Sequence, residues 1–561
     1  MMHGRHVLFF ICVLVGTGVG CSASAVLDVA LGFSDTFVPG RRTPLRVTVH
    51  QPSVPEPLSL RITQRVGNAW RGESTSEYVW RLDPEEIAEL QLVIPIYDFA
   101  HPLEIVLLDD SDATIASETI ALRPRHRESP FSIAIGALPA AITAESISVA
   151  PRALPVAWGA YDSVSRVWLG QSVEPLTLEQ WEALGGYVLS GGTLIVLGGP
   201  GYYLIDSPSL RRLLPVTEVH LGPEPVNDGL LVGELRSGSR RIEDESGLLL
   251  AYAGRCGAGY VVLVAGGIAS LESDPKRLAL VEAAPPAAPL TLHDATGRLL
   301  ADTALPRPDH AIAALVMILL LVGLRWATAR PRRASRTVAW ILVVGVSLAV
   351  SSGFYINRTN ATPILIRSST SLHVSSSFGL CLHSSGLFAT LATLATLPSN
   401  GHPPDEALPQ DLNDHHYGVL WNASEGLRVS LDRGEGRVLE TTDTVTGSLH
   451  VILTQTKIAV AGAASLDLDE AWLLRDGAAH SLGKVRVGDP ERALGRAETG
   501  TVRFRDERFD TIFQAVAAHG FVDEGAWLVG GRERPPDEAP AIGEATTHLD
   551  FYVIGEERHA W

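Results

Sequence analysis

The chain is poor in cysteine, methionine and lysine, and the shortage of cysteine excludes one class of protein. Its 561 residues include four cysteines and three methionines, and its only lysines are Lys276, Lys457 and Lys484. So few cysteines cannot form the dense disulfide framework of small secreted domains. The net charge of −18 argues against the basic face that nucleic-acid-binding proteins carry, so we expect no nucleic-acid partner.

Length and hydrophobic content indicate several folded domains. One domain usually takes about 100–200 residues, so this chain is long enough for several. Its hydrophobic content of 46% and its 52 glycines are typical of β-rich or α/β domains and not of disorder.

Two apolar stretches in the middle of the chain carry no charge, Ala311–Leu324 and Thr337–Ile356. Five arginines and no acidic residue lie between them: Arg325, Arg330, Arg332, Arg333 and Arg336. A bilayer span needs about 20 mostly apolar residues, and cytoplasmic loops collect arginine. The pattern predicts transmembrane helices over 310–328 and 337–356 with a cytoplasmic loop over 329–336. A buried core helix is the alternative to a span.

The N-terminus has the pattern of a signal peptide over residues 1–25. The apolar run Val7–Val19 is followed by Ala23-Ser24-Ala25, a small-x-small cleavage pattern. Cys21 allows lipid attachment as a second interpretation, although Gly18 replaces the usual aliphatic residue. Together with the two predicted transmembrane helices, this pattern predicts a protein of the bacterial cytoplasmic membrane whose two large regions are extracytoplasmic.

Residues 26–127 are predicted to form an immunoglobulin-like β-sandwich. Seven short apolar or alternating runs are separated by turn residues such as Pro39-Gly40 and Asp109-Asp110. The runs are Leu27–Phe33, Leu45–Val49, Leu58–Ile62, Tyr78–Leu82, Leu90–Ile96, Leu103–Leu108 and Thr114–Leu122.

Residues 128–284 change to alternating strands and helices. Ser165–Leu169 has the pattern of a buried strand, and Thr177 with Gln180 forms a capping box that opens a helix. Gly191-Gly192 ends that helix, and Thr193–Leu197 follows as a strand. The order strand, helix, strand predicts a parallel crossover unit.

This region resembles the class I glutamine amidotransferase-like fold, in degenerate forms found in large bacterial membrane proteins. The motifs that carry the resemblance are Tyr161-Asp162-Ser163-Val164, Val167-Trp168-Leu169, Leu176–Leu184 and Gly191–Gly199, within about residues 130–285. The resemblance implies a flavodoxin-like α/β domain.

The active members of that family place a cysteine on a sharp turn after the central strand. In this chain the turn is Gly198-Gly199-Pro200-Gly201, without a nucleophile, so we predict no catalytic residue. Cys256 precedes a strand-like run and not a helix, and His220 has no acidic partner at the family's spacing. Gly198, Gly199 and Gly201 remain a candidate ligand turn that cradles an anion, with a simple turn as the alternative.

Residues 285–309 are predicted to be a proline-rich juxtamembrane linker, and residues 357–561 an extracytoplasmic β-rich domain. Its predicted strands are Leu365–Val374, Leu427–Leu431, Ser448–Thr454, Glu470–Leu474, Val485–Val487, Ala526–Gly530 and Leu549–Ile554. Arg508–His519 is predicted to be an amphipathic helix that buries Phe509, Ile512, Phe513 and Val516.

Three local patterns are reminiscent of a metal site, a calcium loop and a catalytic serine–lysine pair, but each is explained better as structure. His415-His416 beside Asp411 and Asp414 lacks a third metal ligand, and Asp467, Asp469 and Glu470 lack the glycine and glutamate of a calcium loop. The proline in Ser273-Asp274-Pro275-Lys276 disfavours the helical turn of a serine–lysine pair. We therefore expect no metal and no cofactor.

The fold class predicted from the sequence is therefore multi-domain: a β-sandwich, a flavodoxin-like α/β domain, two transmembrane helices and a C-terminal β-rich domain. The predicted function is a non-enzymatic scaffold or interaction component of a membrane complex, with the bilayer and unidentified envelope proteins as partners. A small-ligand binding or sensing protein is the alternative, and a Cys256-dependent amidase is a third hypothesis.

Overall fold

The computed structural model of the chain describes part of its residues. The described residues are 26–50, 58–68, 72–82, 89–171, 173, 175–199, 207–221, 230–236, 238–285, 290–304, 325, 364–375, 378–388, 393–397, 405–406, 419–422, 426–431, 436–445, 449–454, 457–462, 466–475, 477–494, 502–520, 526–534 and 546–555.

The described strands are numbered in chain order. The first sixteen are β1 Val26–Leu31, β2 Arg41–His50, β3 Leu58–Asn68, β4 Gly72–Leu82, β5 Glu89–Ile96, β6 Leu103–Leu108, β7 Thr114–Ile120, β8 Phe131–Ile135, β9 Ile147–Ser148, β10 Val164–Leu169, β11 Thr193–Leu197, β12 Val216–Leu221, β13 Leu231–Leu235, β14 Ser239–Glu243, β15 Leu249–Cys256 and β16 Gly259–Val264. The others are β17 Ile364–Ser375, β18 Phe378–Phe388, β19 Thr393–Leu397, β20 Asp405–Glu406, β21 Val419–Asn422, β22 Gly426–Leu431, β23 Gly436–Val445, β24 His450–Leu453, β25 Lys457–Ala461, β26 Asp467–Arg475, β27 Ala478–Arg486, β28 Arg492–Ala493, β29 Ala526–Arg534 and β30 Thr546–Gly555.

The described helices are mostly short. They are α1 Ala140–Glu145, α2 Leu178–Leu189, α3 Pro208–Leu213, α4 Ile268–Glu272, α5 Pro275–Glu282, α6 His293–Ala304 and α7 Glu507–Ala517.

The first seven strands belong to two sheets that pack face to face. One sheet has the order β1-β2-β5, and the other, which we call the outer sheet, has the order β19-β22-β21-β4-β3-β6-β7. Alternate residues of β2, among them Leu45, Val47 and Val49, point into the shared core. This alternation places one apolar face of each sheet against the other.

The outer sheet joins strands that are far apart in the chain. Strand β21 runs parallel to β4, with Leu420 opposite Glu77 and Trp421 opposite Tyr78. The Trp421 side chain is 1% exposed, and its ring centroid lies 4.9 Å from that of Trp80. A residue from the C-terminal part of the chain therefore completes the core of the N-terminal strands.

The middle of the chain forms the central sheet, with the order β14-β15-β16-β11-β10-β8-β9. Strands β8, β10, β11 and β16 run parallel to one another, β15 runs antiparallel to β16, and β14 runs antiparallel to β15. All five residues of β11 are buried, as expected for a strand covered on both faces. Thr177 and Gln180 form the predicted capping box at the start of α2.

The C-terminal sheet has eight strands in the order β20-β23-β18-β17-β30-β29-β26-β27. Its inner face packs against α6 and α7, and it shares one continuous apolar core with α2 and the central sheet. Ile366, Leu372, Leu380 and Phe551 belong to that core. A small sheet of order β24-β25-β28 completes this part of the chain.

Polar contacts tie the sandwich, the central sheet and the C-terminal sheet to each other. The Arg42 guanidinium forms a 2.7 Å ion pair with Asp162 and lies 5.0 Å from the centroid of the Trp158 ring. The Glu440 carboxylate of β23 accepts hydrogen bonds from the Leu292 N–H, at the start of α6, and from the Thr291 hydroxyl. Because a carboxylate at a helix N-terminus satisfies free N–H groups, Glu440 fixes α6 to the C-terminal sheet.

The fold class predicted from the sequence is wrong. Strands dominate the described chain, and helices do not alternate with strands in the flavodoxin-like manner predicted for residues 128–284. Between β11 and β16 the chain passes through the six-residue helix α3 and four strands, β12–β15. Short apolar runs bounded by glycine and proline do not distinguish such strands from helices, which is why the pattern misled the prediction.

The transmembrane prediction is not supported by the structure. No helix within the described part of the chain is long and apolar enough to span a membrane. The predicted spans 310–328 and 337–356 lie outside the described residues, apart from Arg325.

Predictions of individual elements fare better. Each of the seven strands predicted within residues 26–127 is confirmed, as is the crossover β10–α2–β11. The amphipathic helix predicted at Arg508–His519 is α7, and its four predicted apolar residues are buried.

Candidate functional site

The predicted ligand turn lies at the carboxyl end of β11. The Gly198 N–H donates to the Val264 carbonyl oxygen, and the Gly198 carbonyl oxygen accepts a 3.1 Å hydrogen bond from the Gln171 side-chain amide. Gly199 follows with φ +73°, in the left-handed region that favours glycine. Gly201 lies outside the described residues.

Close packing explains both described glycines. A Cβ atom at Gly198 would lie 2.5 Å from a Leu231 methyl carbon and from the Val264 oxygen. One at Gly199 would lie 2.9 Å from the Gly267 Cα atom. The two described glycines are thus required for close packing, and the ligand turn stays a prediction that rests on the sequence.

Cys256 lies at the turn between two paired strands. It ends β15 opposite Gly259, and β16 follows without a helix, as the sequence predicts. Its side chain is 7% exposed and belongs to the large apolar core. His220 is exposed on β12, where its Nδ1 atom lies 2.8 Å from the Glu218 carbonyl oxygen.

The other patterns noted in the sequence are explained by pairing or fall outside the structure. Asp469 pairs with Lys484, Asp467 with Arg486, and the Glu470 carboxylate accepts from the Arg505 N–H. His415 and His416 with Asp411 and Asp414 lie outside the described residues. Asp274 caps α5, and Lys276 pairs with Glu245.

A cluster that the sequence did not reveal lies on the outer face of the C-terminal sheet. We call it the polar row, and its members are Ser369, Ser371 and His373 of β17, Cys381 and His383 of β18, and Asp550 and Tyr552 of β30. Residue pairing places them side by side, because Ser369 is opposite His383 and Asp550, and Ser371 is opposite Cys381 and Tyr552. Alternate residues of a strand share one face, so these seven side chains do too.

The thiol, the imidazole and two hydroxyls of the polar row are in contact. The Ser369 Oγ atom lies 2.8 Å from the His383 Nδ1 atom, and the Cys381 Sγ atom lies 4.0 Å from the same nitrogen. The Ser371 hydroxyl donates to the Cys381 Sγ atom at 3.4 Å. An imidazole nitrogen that carries no hydrogen has one lone pair, so the Ser369 hydroxyl and the Cys381 thiol compete for the His383 Nδ1 atom.

Asp550 is the acidic residue of the polar row, and it pairs with two arginines. Its carboxylate accepts hydrogen bonds from the Arg532 Nε atom at 3.2 Å and from the Arg534 Nε and Nη2 atoms at 2.9 Å each. Asp550 is 3% exposed, so this pairing with two arginines satisfies a carboxylate that burial would otherwise destabilise. Burial and the neighbouring Asp550 carboxylate raise the pKa of Tyr552 to about 12.

His373 is the most deeply buried base of the row. It is 3% exposed, its ring stacks on Tyr552 with the centroids 6.5 Å apart, and burial lowers its pKa to about 4. Its Nδ1 atom has no hydrogen-bond partner among the described residues. The position of a Cβ atom at Gly379 lies 3.2 Å from this nitrogen, so the missing side chain leaves the nitrogen uncovered on that side.

The polar row contains a thiol, two imidazoles and hydroxyls. No group of three or more His, Cys, Asp or Glu residues that could hold a metal ion occurs where the structure is described. A sequence signal for the row exists in retrospect: Ser369, Ser371 and His373 alternate with core residues, and so do Cys381 and His383. Only strand pairing shows that the two alternations meet.

Comparisons of the chain with protein-family models, with curated proteins and with solved structures each found no match. The resemblance to the amidotransferase-like fold is therefore without support from a relative.

Proposed function

We propose that the chain is a non-enzymatic scaffold or interaction component of the bacterial cell envelope. The observation that carries the proposal is the outer sheet, in which β21 completes the core of the N-terminal strands through Trp421. Pairing between segments that are far apart in the chain holds the surfaces between them in a fixed arrangement, which is what a scaffold requires.

Two further contacts support the proposal. The Arg42–Asp162 ion pair is mostly buried, with its side chains 14% and 17% exposed, and it joins the sandwich to the central sheet. The Arg255 guanidinium of β15 donates at 2.9 Å to the His519 carbonyl oxygen just beyond α7, which joins the central sheet to the C-terminal region. Cations near a helix C-terminus are favourable, so this contact also stabilises α7.

The location and partners in this proposal rest on the sequence. The apolar run Val7–Val19 followed by Ala23-Ser24-Ala25 favours export, and the bilayer and the envelope proteins stay predicted partners. A small-ligand function at Gly198–Gly201 is less favoured, because Gln171 and Gly267 already occupy the space around the described glycines.

The test is a chemical cross-linking pull-down of the full-length tagged chain from its native cells. We expect the same partner proteins to be recovered in stable proportion, and we expect Trp421→Ala to lose them because the arrangement of surfaces is disturbed. Cys256→Ala is the matched control, since it changes a buried side chain and leaves the outer sheet intact. A wild-type chain that is recovered without any partner contradicts the proposal.

A further inference from the structure

The two buried cysteines are equally hidden but chemically different. Cys381 is 6% exposed and Cys256 is 7% exposed, and neither is in a disulfide. Cys256 belongs to the main apolar core, and Cys381 lies in the polar row, where it contacts a hydroxyl and an imidazole. Thiol reactivity depends on such surroundings, because the thiolate is the nucleophile and an adjacent base assists its formation.

The geometry of the polar row supplies both parts of an assisted thiol. The His383 Nδ1 atom lies 4.0 Å from the Cys381 Sγ atom, and it serves as a base when the Ser369 hydroxyl turns away from it. The Ser371 hydroxyl points its proton at the sulfur, and such a donor stabilises negative charge on it.

A second observation favours the binding of another molecule in the row. The His373 Nδ1 atom is buried without a hydrogen-bond partner among the described residues, and a Cβ atom at Gly379, the residue two before Cys381 on the same face of β18, would lie 3.2 Å from it. Buried polar atoms are nearly always hydrogen-bonded, so this nitrogen has a place for one more polar group.

We propose that Cys381 is a thiol-modification site that takes a small, neutral disulfide bearing a hydrogen-bond donor. The Ser369 hydroxyl turns away from the His383 Nδ1 atom, this nitrogen accepts the thiol proton, and the Cys381 sulfur attacks one sulfur of the disulfide. A new S–S bond forms as the old one breaks, and the released thiolate takes the proton from His383. The products are a mixed disulfide at Cys381 and one small thiol, and a donor group on the attached half bonds to the His373 Nδ1 atom.

The test uses hydroxyethyl disulfide on the full-length protein, with each cysteine peptide followed by mass spectrometry. In the folded protein we expect Cys381 to be modified at least ~10-fold faster than Cys256, and His383→Gln to lower the Cys381 rate by about 10-fold or more. His480→Gln, on β27 of the same sheet, is the matched control and should leave both rates unchanged. In urea the two cysteines should react at the same rate.

Two outcomes overturn the proposal: equal rates for the two cysteines in the folded protein, or a Cys381 rate that His383→Gln leaves unchanged. If His383→Gln does not fold, Ser369→Ala replaces it. Removing that hydroxyl frees the Nδ1 atom for the thiol, so the Cys381 rate should rise, and a fall would equally overturn the proposal.

Discussion

The central sheet and the outer sheet each have seven strands, but they are assembled in different ways. The strands of the central sheet come from one continuous part of the chain, Phe131–Val264. Those of the outer sheet come from two parts, β3, β4, β6 and β7 near the N-terminus and β19, β21 and β22 after the middle of the chain. The first sheet needs only local crossovers, whereas the second forms only when distant segments meet, at a larger cost in chain entropy.

Two fully buried tryptophans, one in each sheet, allow the strongest experimental test of this difference. Trp168 lies in the central sheet and is 2% exposed, and Trp421 lies in the outer sheet and is 1% exposed. Each change to alanine should lower the free energy of unfolding by roughly 3–5 kcal/mol, measured by urea denaturation. We expect Trp421→Ala to destabilise the N-terminal strands as well, because Trp80 loses its aromatic neighbour.

The corresponding phenylalanine variants are the controls for this pair. They keep most of the apolar volume and should cost clearly less than the alanine variants. If Trp421→Ala proved no more costly than Trp421→Phe, the tryptophan would not be a core residue of the outer sheet.

A smaller effect is expected from Gly199 at the edge of the central sheet. Gly199→Ala should lower the free energy of unfolding by roughly 2–4 kcal/mol, because the new methyl group meets the Gly267 backbone at a positive φ. Gly247→Ala is the matched control: its φ is +81°, but a Cβ atom there meets nothing within 4 Å, so it should cost only about 1 kcal/mol. Equal losses of unfolding free energy in Gly199→Ala and Gly247→Ala would show that a methyl group at Gly199 has room beside Gly267.

The smallest effect should come from the contact between the sandwich and the central sheet. Asp162→Asn weakens the buried pair with Arg42 and should cost roughly 1–2 kcal/mol in thermal or urea unfolding. Asp467→Asn removes a pair with Arg486 whose side chains are half exposed, and it should cost less than about 0.5 kcal/mol. A reversed order would mean that the Arg42 contact does not join the two regions.

The sequence predicts those parts of the fold that depend on neighbours along the chain. The capping box at Thr177, the four buried residues of α7 and all seven N-terminal strands follow from local propensity and periodicity. The pairing of β21 with β4 does not, because a strand of four residues such as Val419–Asn422 has no local feature that specifies a partner.

The candidate site is even less accessible from the sequence. The Gly198–Gly201 turn has a recognisable composition, yet its described glycines serve close packing. The polar row has no motif, since Cys381 and Ser371 are brought together only by the register of β17 and β18. Residues of opposite strands become neighbours through hydrogen bonding between strands, which one sequence does not encode in any fixed spacing.

Amide hydrogen exchange of β4 in the Trp168→Ala and Trp421→Ala variants tests most directly whether β4 and β21, from distant parts of the chain, fold as one unit. We predict that Trp421→Ala speeds exchange of the amides of Tyr78 and Val79, opposite β21, and that Trp168→Ala leaves them protected. Unchanged protection of β4 in Trp421→Ala would contradict the account, because the N-terminal sandwich would then be complete without β21.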